Sequence, residues 1–307
     1  MKTLFLRRVG QFLMLPLAGL LVIEVALARL GNDYLDKRRY VETHADAIRT
    51  LILGHSQVVN AINPRLWGDS VYNFAMVGRP AHYDVRLAQR YLSRLSHLEC
   101  VIWPMKYDIP LEDYNRELTP WKEQLLMKYE KYMGISYEPR IPWLHLSEVM
   151  SSNIFFTLRH PESRHEGYDT LGYLPKSAAA RSPRWQQLEM PRNFTLATPG
   201  AQDILQMNLR LYQDLARACR DRGVRFVVIT TPCYATYRAH MTAEGRALQR
   251  RCVEAMRQVY PAMEYYDFVD DPRFVDTDYY DAGHLSEEGA EKFTRILRDT
   301  LAAQAGT

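Results

Sequence analysis

The chain has 307 residues, enough to bury one sizeable hydrophobic core together with a large insertion. Its hydrophobic fraction of 47% and charged fraction of 24% are ordinary for a folded globular protein. The formal net charge of +3 comes from 39 basic and 36 acidic residues, and no basic stripe with interleaved aromatics stands out. This balance argues against a nucleic-acid partner.

The first predicted element is an apolar helix near the N-terminus. Residues 12–28 read FLMLPLAGLLVIEVALA, carry a single charge at Glu24 and reach the lower length limit for crossing the roughly 30 Å hydrocarbon layer. The run is preceded by three basic residues, Lys2, Arg7 and Arg8. This order fits a signal peptide cleaved after the Ala-Leu-Ala at 26–28, or an uncleaved signal anchor; an amphipathic helix on a soluble domain is the third alternative. We expect residues 1–31 to be a single-pass membrane anchor with the rest of the chain extracytoplasmic, in the periplasm or at the cell surface.

Residues 32–307 are predicted to form one α/β domain in which strands alternate with helices. A linker or juxtamembrane helix is expected over 32–47. Strands are predicted at 48–53, 70–76, 99–103, 224–230 and 263–269. Helices are predicted at 56–62, 81–96, 201–222, 242–259 and 286–303. The alternation predicts a three-layer α/β/α sandwich around a parallel sheet, whose ligands bind beyond the carboxyl ends of the strands. The pattern does not give the strand order.

Residues 104–200 interrupt this alternation. They contain ten prolines and show no clear strand pattern. A segment of that length is too long for an ordinary loop. We expect a large insertion after the third strand, with helical pieces near 121–133 and 145–158.

The four cysteines, Cys100, Cys219, Cys233 and Cys252, are widely spaced and form no CxxC pair. The sequence therefore has no zinc signature, and we expect neither a metal nor a cofactor. A disulfide stays open at this stage.

Two short segments fall where a parallel sheet places its active site. Gly54-His55-Ser56 follows the first strand directly, and Asp281 and His284 lie three residues apart between the last strand and the last helix. A histidine oriented by a carboxylate can activate a serine hydroxyl as a nucleophile. Each segment also has a plain structural interpretation, since Ser56 can cap a helix and the acidic and imidazole groups can be ordinary loop polar residues.

These motifs together resemble the SGNH hydrolase superfamily, which carries a glycine-x-serine after the first strand and an aspartate-x-x-histidine before the last helix. The N-terminal anchor and the ending HLSEEGAEKF resemble more narrowly its membrane-anchored branch of D-alanyl-lipoteichoic-acid-type and polysaccharide O-acyltransferase proteins. The resemblance covers residues 48–103 and 201–303. It implies an SGNH, flavodoxin-like fold and says little about residues 104–200, the large insertion after the third strand.

The resemblance also implies roles for individual residues. Ser56 would be the nucleophile, His284 the base and Asp281 its partner in a catalytic triad. The backbone amides of Ser56 and Gly78 would form the oxyanion hole.

The sequence departs from the family pattern at two places. His55 stands where the family has an aspartate, and WPMKYD replaces the glycine-x-asparagine that follows the third strand. Pocket roles are open for His55, Asn73, Lys106 and Tyr107, and Lys106 or Tyr107 are the candidates to replace the missing oxyanion donor.

The leading functional hypothesis is an exported serine acyltransferase or esterase that acts on O-acyl groups of a cell-surface polysaccharide or cell-wall polymer through an acyl-Ser56 intermediate. Its expected partners are the acylated glycan, the membrane and a multi-pass membrane O-acyltransferase. The alternative is a catalytically weak or inactive accessory protein with the same fold that binds a glycan or the membrane O-acyltransferase. A soluble lipase is a third interpretation. The insertion argues against it, because its sequence shows no apolar lid.

Overall fold

The computed structural model describes residues 2–113, 125–135 and 154–305. Its first element is the long helix α1, Lys2–Arg29. Within α1, the segment Arg7–Arg29 is long and apolar enough to cross a membrane, with a mean hydropathy of 2.0, and almost all of it is exposed. The next helix, α2, spans Asp33–Thr43 and is capped by Asn32, whose Oδ1 accepts from the Leu35 amide at 3.1 Å.

Five parallel strands form the central sheet, which confirms the predicted α/β fold class. They are β1 Thr50–Ile52, β2 Val71–Asn73, β3 Cys100–Pro104, β4 Arg225–Ile229 and β5 Glu264–Tyr266. Their order is β2-β1-β3-β4-β5. The chain therefore moves outward from β1 in one direction to β2 and in the other to β3. The carboxyl end of β1 lies at this switch point, where open α/β sheets bind their ligands.

Helices cover both faces of the sheet. The helices that follow α2 along the chain are α3 Ser56–Val59, α4 Ala81–Tyr91, α5 Ile154–Arg159, α6 Ala201–Asp221, α7 Ala235–His240, α8 Ala243–Val259 and α9 Glu287–Ala305. The short helix α7 was not predicted. In the insertion, residues 125–133 are helical and α5 lies at the end of the predicted 145–158 piece, while the rest of those two predictions falls outside the described residues.

The two largest clusters of the hydrophobic core lie one on each face of the sheet. Successive strand residues point to opposite faces, so Val101 and Val228 belong to one cluster, whereas Ile102 and Val227 belong to the other. This run of apolar residues on both faces is typical of parallel strands that are covered on both sides.

A buried lysine joins α2 to the edge strand β2 and to the insertion. The Lys37 ammonium group donates to the carbonyl oxygens of Asn73 at 2.9 Å, Ala75 at 2.5 Å and Gly172 at 2.8 Å. It also lies 4.2 Å from the centre of the Tyr168 ring. The three N–H donors of an ammonium group are therefore all used inside the protein.

We expect Lys37→Met to lower the free energy of unfolding by about 3 kcal/mol, because it removes three charge-assisted hydrogen bonds to buried carbonyl groups. The control is Arg39→Met, which changes an exposed residue of the same helix and is expected to stay within about 0.5 kcal/mol of the wild type. Denaturant titration of the full chain in detergent measures both, and equal effects of the two substitutions would contradict the structural role of Lys37.

Candidate active site

The turn that leaves β1 depends on Gly54. Its φ angle of 121° lies in a region that residues with a Cβ rarely adopt. A Cβ at this position would also lie 2.5 Å from Cδ of Pro104, the last residue of β3, and 2.9 Å from a Val58 methyl group. The glycine thus allows the start of α3 to pack directly against the end of β3.

His55, rather than Ser56, caps α3. Its Nδ1 accepts a hydrogen bond from the Gln57 amide at 3.3 Å, and Ser56 is the first residue of the helix. The hydroxyl of Ser56 is consequently not used as a helix cap. The interpretation of Ser56 as the helix cap is therefore wrong for this structure.

The structure brings Ser56, His284 and Asp281 together in one hydrogen-bonded chain. The Oγ atom of Ser56 lies 2.8 Å from Nε2 of His284, although the two residues are 228 positions apart in the sequence. Nδ1 of the same imidazole lies 2.9 and 3.0 Å from the two carboxylate oxygens of Asp281. The side chains of His284 and Asp281 are 11% and 7% exposed, so both are largely shielded from solvent.

The loop that carries Asp281 and His284 is held tightly. Oδ1 of Asp281 accepts from the backbone amides of Gly283 and His284, both at 2.9 Å. The loop is closed by an antiparallel bridge between Tyr279 and Leu285. The carboxylate therefore fixes both the loop and the imidazole ring, with the proton of the neutral imidazole placed on Nδ1 and Nε2 left as the acceptor facing Ser56.

The loop after β2, which contains Gly78, lies beside Gly54. The Met76 amide donates to the Gly54 carbonyl at 3.1 Å, and the Arg79 amide donates back to Met76 at 3.2 Å, which closes a turn. Gly78 has a φ angle of 68° within this turn. Its part in an oxyanion hole stays a prediction.

Asn73 lies beneath the candidate site. Its side chain is fully buried, and its amide nitrogen donates to the carbonyls of Val58 at 3.2 Å and Ile62 at 2.9 Å. Its Oδ1 accepts from the Ala75 amide at 3.2 Å. These contacts hold the segment that begins with Ser56, and they leave no free group of Asn73 for a substrate.

Tyr107 is also committed to the scaffold. Its hydroxyl donates to Asn193 Oδ1 at 2.9 Å and accepts from the Thr242 amide at 2.7 Å, which ties it to the start of α8. Lys106 forms an ion pair of 3.0 Å with the buried carboxylate of Asp108 and is 28% exposed. Of the two candidates to replace the missing asparagine, only Lys106 keeps access to solvent.

His55 is buried, with only 7% of the residue exposed. Burial lowers its pKa well below the usual value of 6.5, and the nearby Lys106 and His284 lower it further. His55 is therefore neutral at pH 7. Because Nδ1 accepts from Gln57, the ring proton is on Nε2.

The sequence reasoning missed a buried carboxylate under the turn. Asp84 is 1% exposed and accepts from the Gly54 amide at 3.1 Å and from the Trp103 indole at 2.9 Å. Burial raises its pKa, and the hydrogen bonds from Arg79, Trp103 and Gly54 act in the opposite direction. In the sequence Asp84 is one polar residue of an amphipathic helix, and no local signal marks it as buried.

All four cysteines are buried free thiols. In the described part of the chain, no three His, Cys, Asp or Glu side chains come together as a metal site.

We expect the stability of the protein to fall below pH 6.5 because of His55. The unfolded chain takes up a proton on this residue below pH 6.5, whereas the buried imidazole does so only at a lower pH, so acid favours the unfolded state by about 1.4 kcal/mol per pH unit in that window. His55→Asn keeps a capping oxygen and should flatten the pH dependence of the unfolding midpoint. His97→Asn, at an exposed position, should keep the wild-type pH dependence; identical curves for wild type and His55→Asn would contradict the prediction.

No family model matches the chain, and no curated protein matches it. Several solved structures are similar to it, among them the following two. A Bacteroides fragilis protein described as a "putative acylhydrolase" is 10% identical, with a TM-score of 0.41 over 88% of this chain and 99% of that one. A Streptococcus pneumonia protein described as a "putative platelet activating factor" is 12% identical, with a TM-score of 0.41 over 92% of this chain and 98% of that one. At these values neither likeness assigns a family or an activity to this chain.

Proposed function

We propose that the protein is a serine acyl-transfer enzyme in which Ser56 carries the acyl group. The observation that supports this most directly is the contact of 2.8 Å between Ser56 Oγ and His284 Nε2, with Asp281 on the other ring nitrogen. A serine nucleophile requires a base within hydrogen-bond reach, and the base in turn is oriented by an acid.

The reaction proceeds in two steps. In the first, Ser56 Oγ attacks the carbonyl carbon of an O-acyl ester while His284 Nε2 takes the hydroxyl proton. The tetrahedral intermediate collapses, the imidazolium returns the proton to the departing alkoxide, and an acyl-Ser56 ester remains. In the second step, water or an acceptor hydroxyl gives its proton to His284 and attacks this ester. The second tetrahedral intermediate collapses, the bond between the acyl carbon and Ser56 Oγ breaks, and the imidazolium returns the proton to Ser56. Asp281 stabilises the imidazolium in both steps and stays ionised.

The proposed substrate is an O-acylated polysaccharide or cell-wall polymer outside the cytoplasmic membrane. The exposed apolar segment Arg7–Arg29 of α1 supports a membrane location. The resemblance of the N-terminal segment and of the HLSEEGAEKF ending to membrane-anchored O-acyltransferase proteins supports the substrate class. A multi-pass membrane O-acyltransferase is the proposed partner that supplies or receives the acyl group.

The alternative function is an accessory protein that binds a glycan or a membrane partner without turning over an ester. The segment after β3 favours it, because Lys106 is paired with Asp108 and Tyr107 is bound to Asn193 and Thr242, so no neutral donor replaces the missing asparagine there. Loss of one oxyanion donor costs about 10²–10³ in rate.

We expect a fluorophosphonate to label the wild-type chain in detergent at Ser56 and to leave Ser56→Ala unlabelled. His284→Gln and Asp281→Asn should reduce the labelling rate by about 10²–10⁴-fold, because proton transfer by an oriented imidazole is lost. The control is Ser96→Ala, an exposed serine that binds only Asp46 in the described structure. Labelling is followed by gel fluorescence and the site by peptide mass spectrometry.

A wild-type chain that is not labelled, or labelling that persists in Ser56→Ala, would contradict the nucleophile assignment. Acetate release from an O-acetylated polysaccharide then tests the substrate class, and isotopically labelled acetyl on an acceptor sugar distinguishes transfer from hydrolysis. Binding of the polysaccharide to both wild type and Ser56→Ala without acetate release would favour the accessory function.

A further inference from the structure

A buried ion pair lies directly under the candidate site. Arg79 and Asp84 are 2% and 1% exposed, and Nη1 of Arg79 lies 3.3 Å from Oδ1 of Asp84. Neither residue belongs to the Ser56, His284 and Asp281 chain. Both charges are nevertheless connected to the backbone that surrounds Ser56.

Asp84 holds the first of two backbone segments. Its Oδ1 accepts from the amide of Gly54, two residues before Ser56, and its Oδ2 accepts from the indole of Trp103 on β3. The other polar group of Gly54, its carbonyl, accepts from the Met76 amide. Both backbone polar groups of Gly54 are therefore hydrogen-bonded, the amide to the Asp84 carboxylate and the carbonyl to the loop after β2.

Arg79 holds the second segment. It follows Gly78 in the chain, and its Nε donates to the Tyr129 hydroxyl at 2.9 Å. Its guanidinium group lies 5.1 Å from the centre of the Phe74 ring and 5.5 Å from that of Tyr129. The arginine side chain is therefore immobilised between aromatic rings, and the turn over residues 76–79 is immobilised with it.

Stability alone is a weak reason for this pair. Removing two charges from water is costly, and replacing a buried ion pair by apolar residues of similar volume is often neutral or stabilising. The geometric consequence of the pair is specific, however. It connects the segment that carries Ser56 with the segment that carries Gly78.

We propose that Arg79 and Asp84 are positioning residues that hold residues 54–56 and 76–79 at a fixed separation, so that the amides of Ser56 and Gly78 converge on the acyl oxygen. The inference rests on the proposed acyl-transfer function. Oxyanion donors act through preorganisation, and an error of 1 Å in the position of a reacting group can cost about 10²-fold in rate. Arg79 and Asp84 touch neither the substrate nor the reacting atoms.

The test uses the full chain in detergent with p-nitrophenyl acetate and a fluorophosphonate as probes. In Asp84→Asn the side chain keeps its shape and loses its charge. We expect kcat and the labelling rate to fall about 30- to 100-fold, with KM changed less than about threefold, because the lost interaction acts in the transition state. The double variant Arg79→Met with Asp84→Leu should stay folded and show the same loss of kcat.

The matched control is Glu264→Gln, which breaks the ion pair of Arg225 with Glu264 between β4 and β5. We expect wild-type kcat from it. Hydrogen exchange supplies a readout that does not depend on activity. The amides of Gly54 and Met76 should lose protection in the Asp84 variants, while those of β4 should keep it.

Wild-type kcat in Asp84→Asn would overturn the inference, as would a loss of protection that extends evenly through β4. A wild-type chain that reacts with neither probe would instead remove the acyl-transfer proposal. In that case the exchange of the Gly54 and Met76 amides decides the positioning role by itself, and unchanged protection there would overturn it.

Discussion

The close approach of Gly54 to Pro104 is the constraint on which the candidate site depends. A side chain at position 54 would overlap the proline ring at the end of β3, so α3 can begin where it does only because this residue is glycine. The same residue donates its amide to Asp84 and accepts the amide of Met76. One backbone unit therefore sets the relative positions of β3, α4, the loop after β2 and, two residues later, Ser56.

Local patterns were sufficient to predict the positions along the chain of the strands and helices that flank Ser56 and His284. The apolar run before Gly54 and the helix after Leu285 can be recognised within short windows of sequence, and in a parallel sheet the carboxyl ends of the strands meet at one edge. These two facts place Ser56 and His284 at the same edge of the sheet. Their contact also depends on the path of the loop after β5, because β3 and β4 lie between β1 and β5. The strand order does not follow from local patterns, because it is decided by the packing of helices that are distant in the sequence. The capping role of His55 could not be predicted either, because serine, and not histidine, is among the residues that usually cap helices.

There is a physical reason why the burial of the charged side chains could not be predicted from the sequence. Lys37 lies on a strongly polar helix and Asp84 on an amphipathic one, and charged residues of such helices are normally solvated. Their burial is tolerated only when partners from other elements surround them. The insertion supplies such partners, through the Gly172 carbonyl on Lys37 and through the Tyr168 hydroxyl, which accepts from the Val77 amide at 3.1 Å. Proline-rich segments without periodicity give no signal of these long-range contacts.

The departure at position 55 and the missing asparagine after β3 have a combined consequence for the proposed chemistry. His55 provides the cap that leaves the Ser56 hydroxyl to His284, so a histidine where the resembled SGNH pattern has an aspartate is compatible with Ser56 as the proposed nucleophile. The asparagine of that pattern is absent, and neither candidate after β3, Lys106 or Tyr107, supplies a free neutral donor. An oxyanion hole with fewer donors depends more strongly on the placement of each remaining amide. The proposed positioning of the Ser56 and Gly78 amides by Arg79 and Asp84 is therefore most consequential in a chain that lacks the third donor.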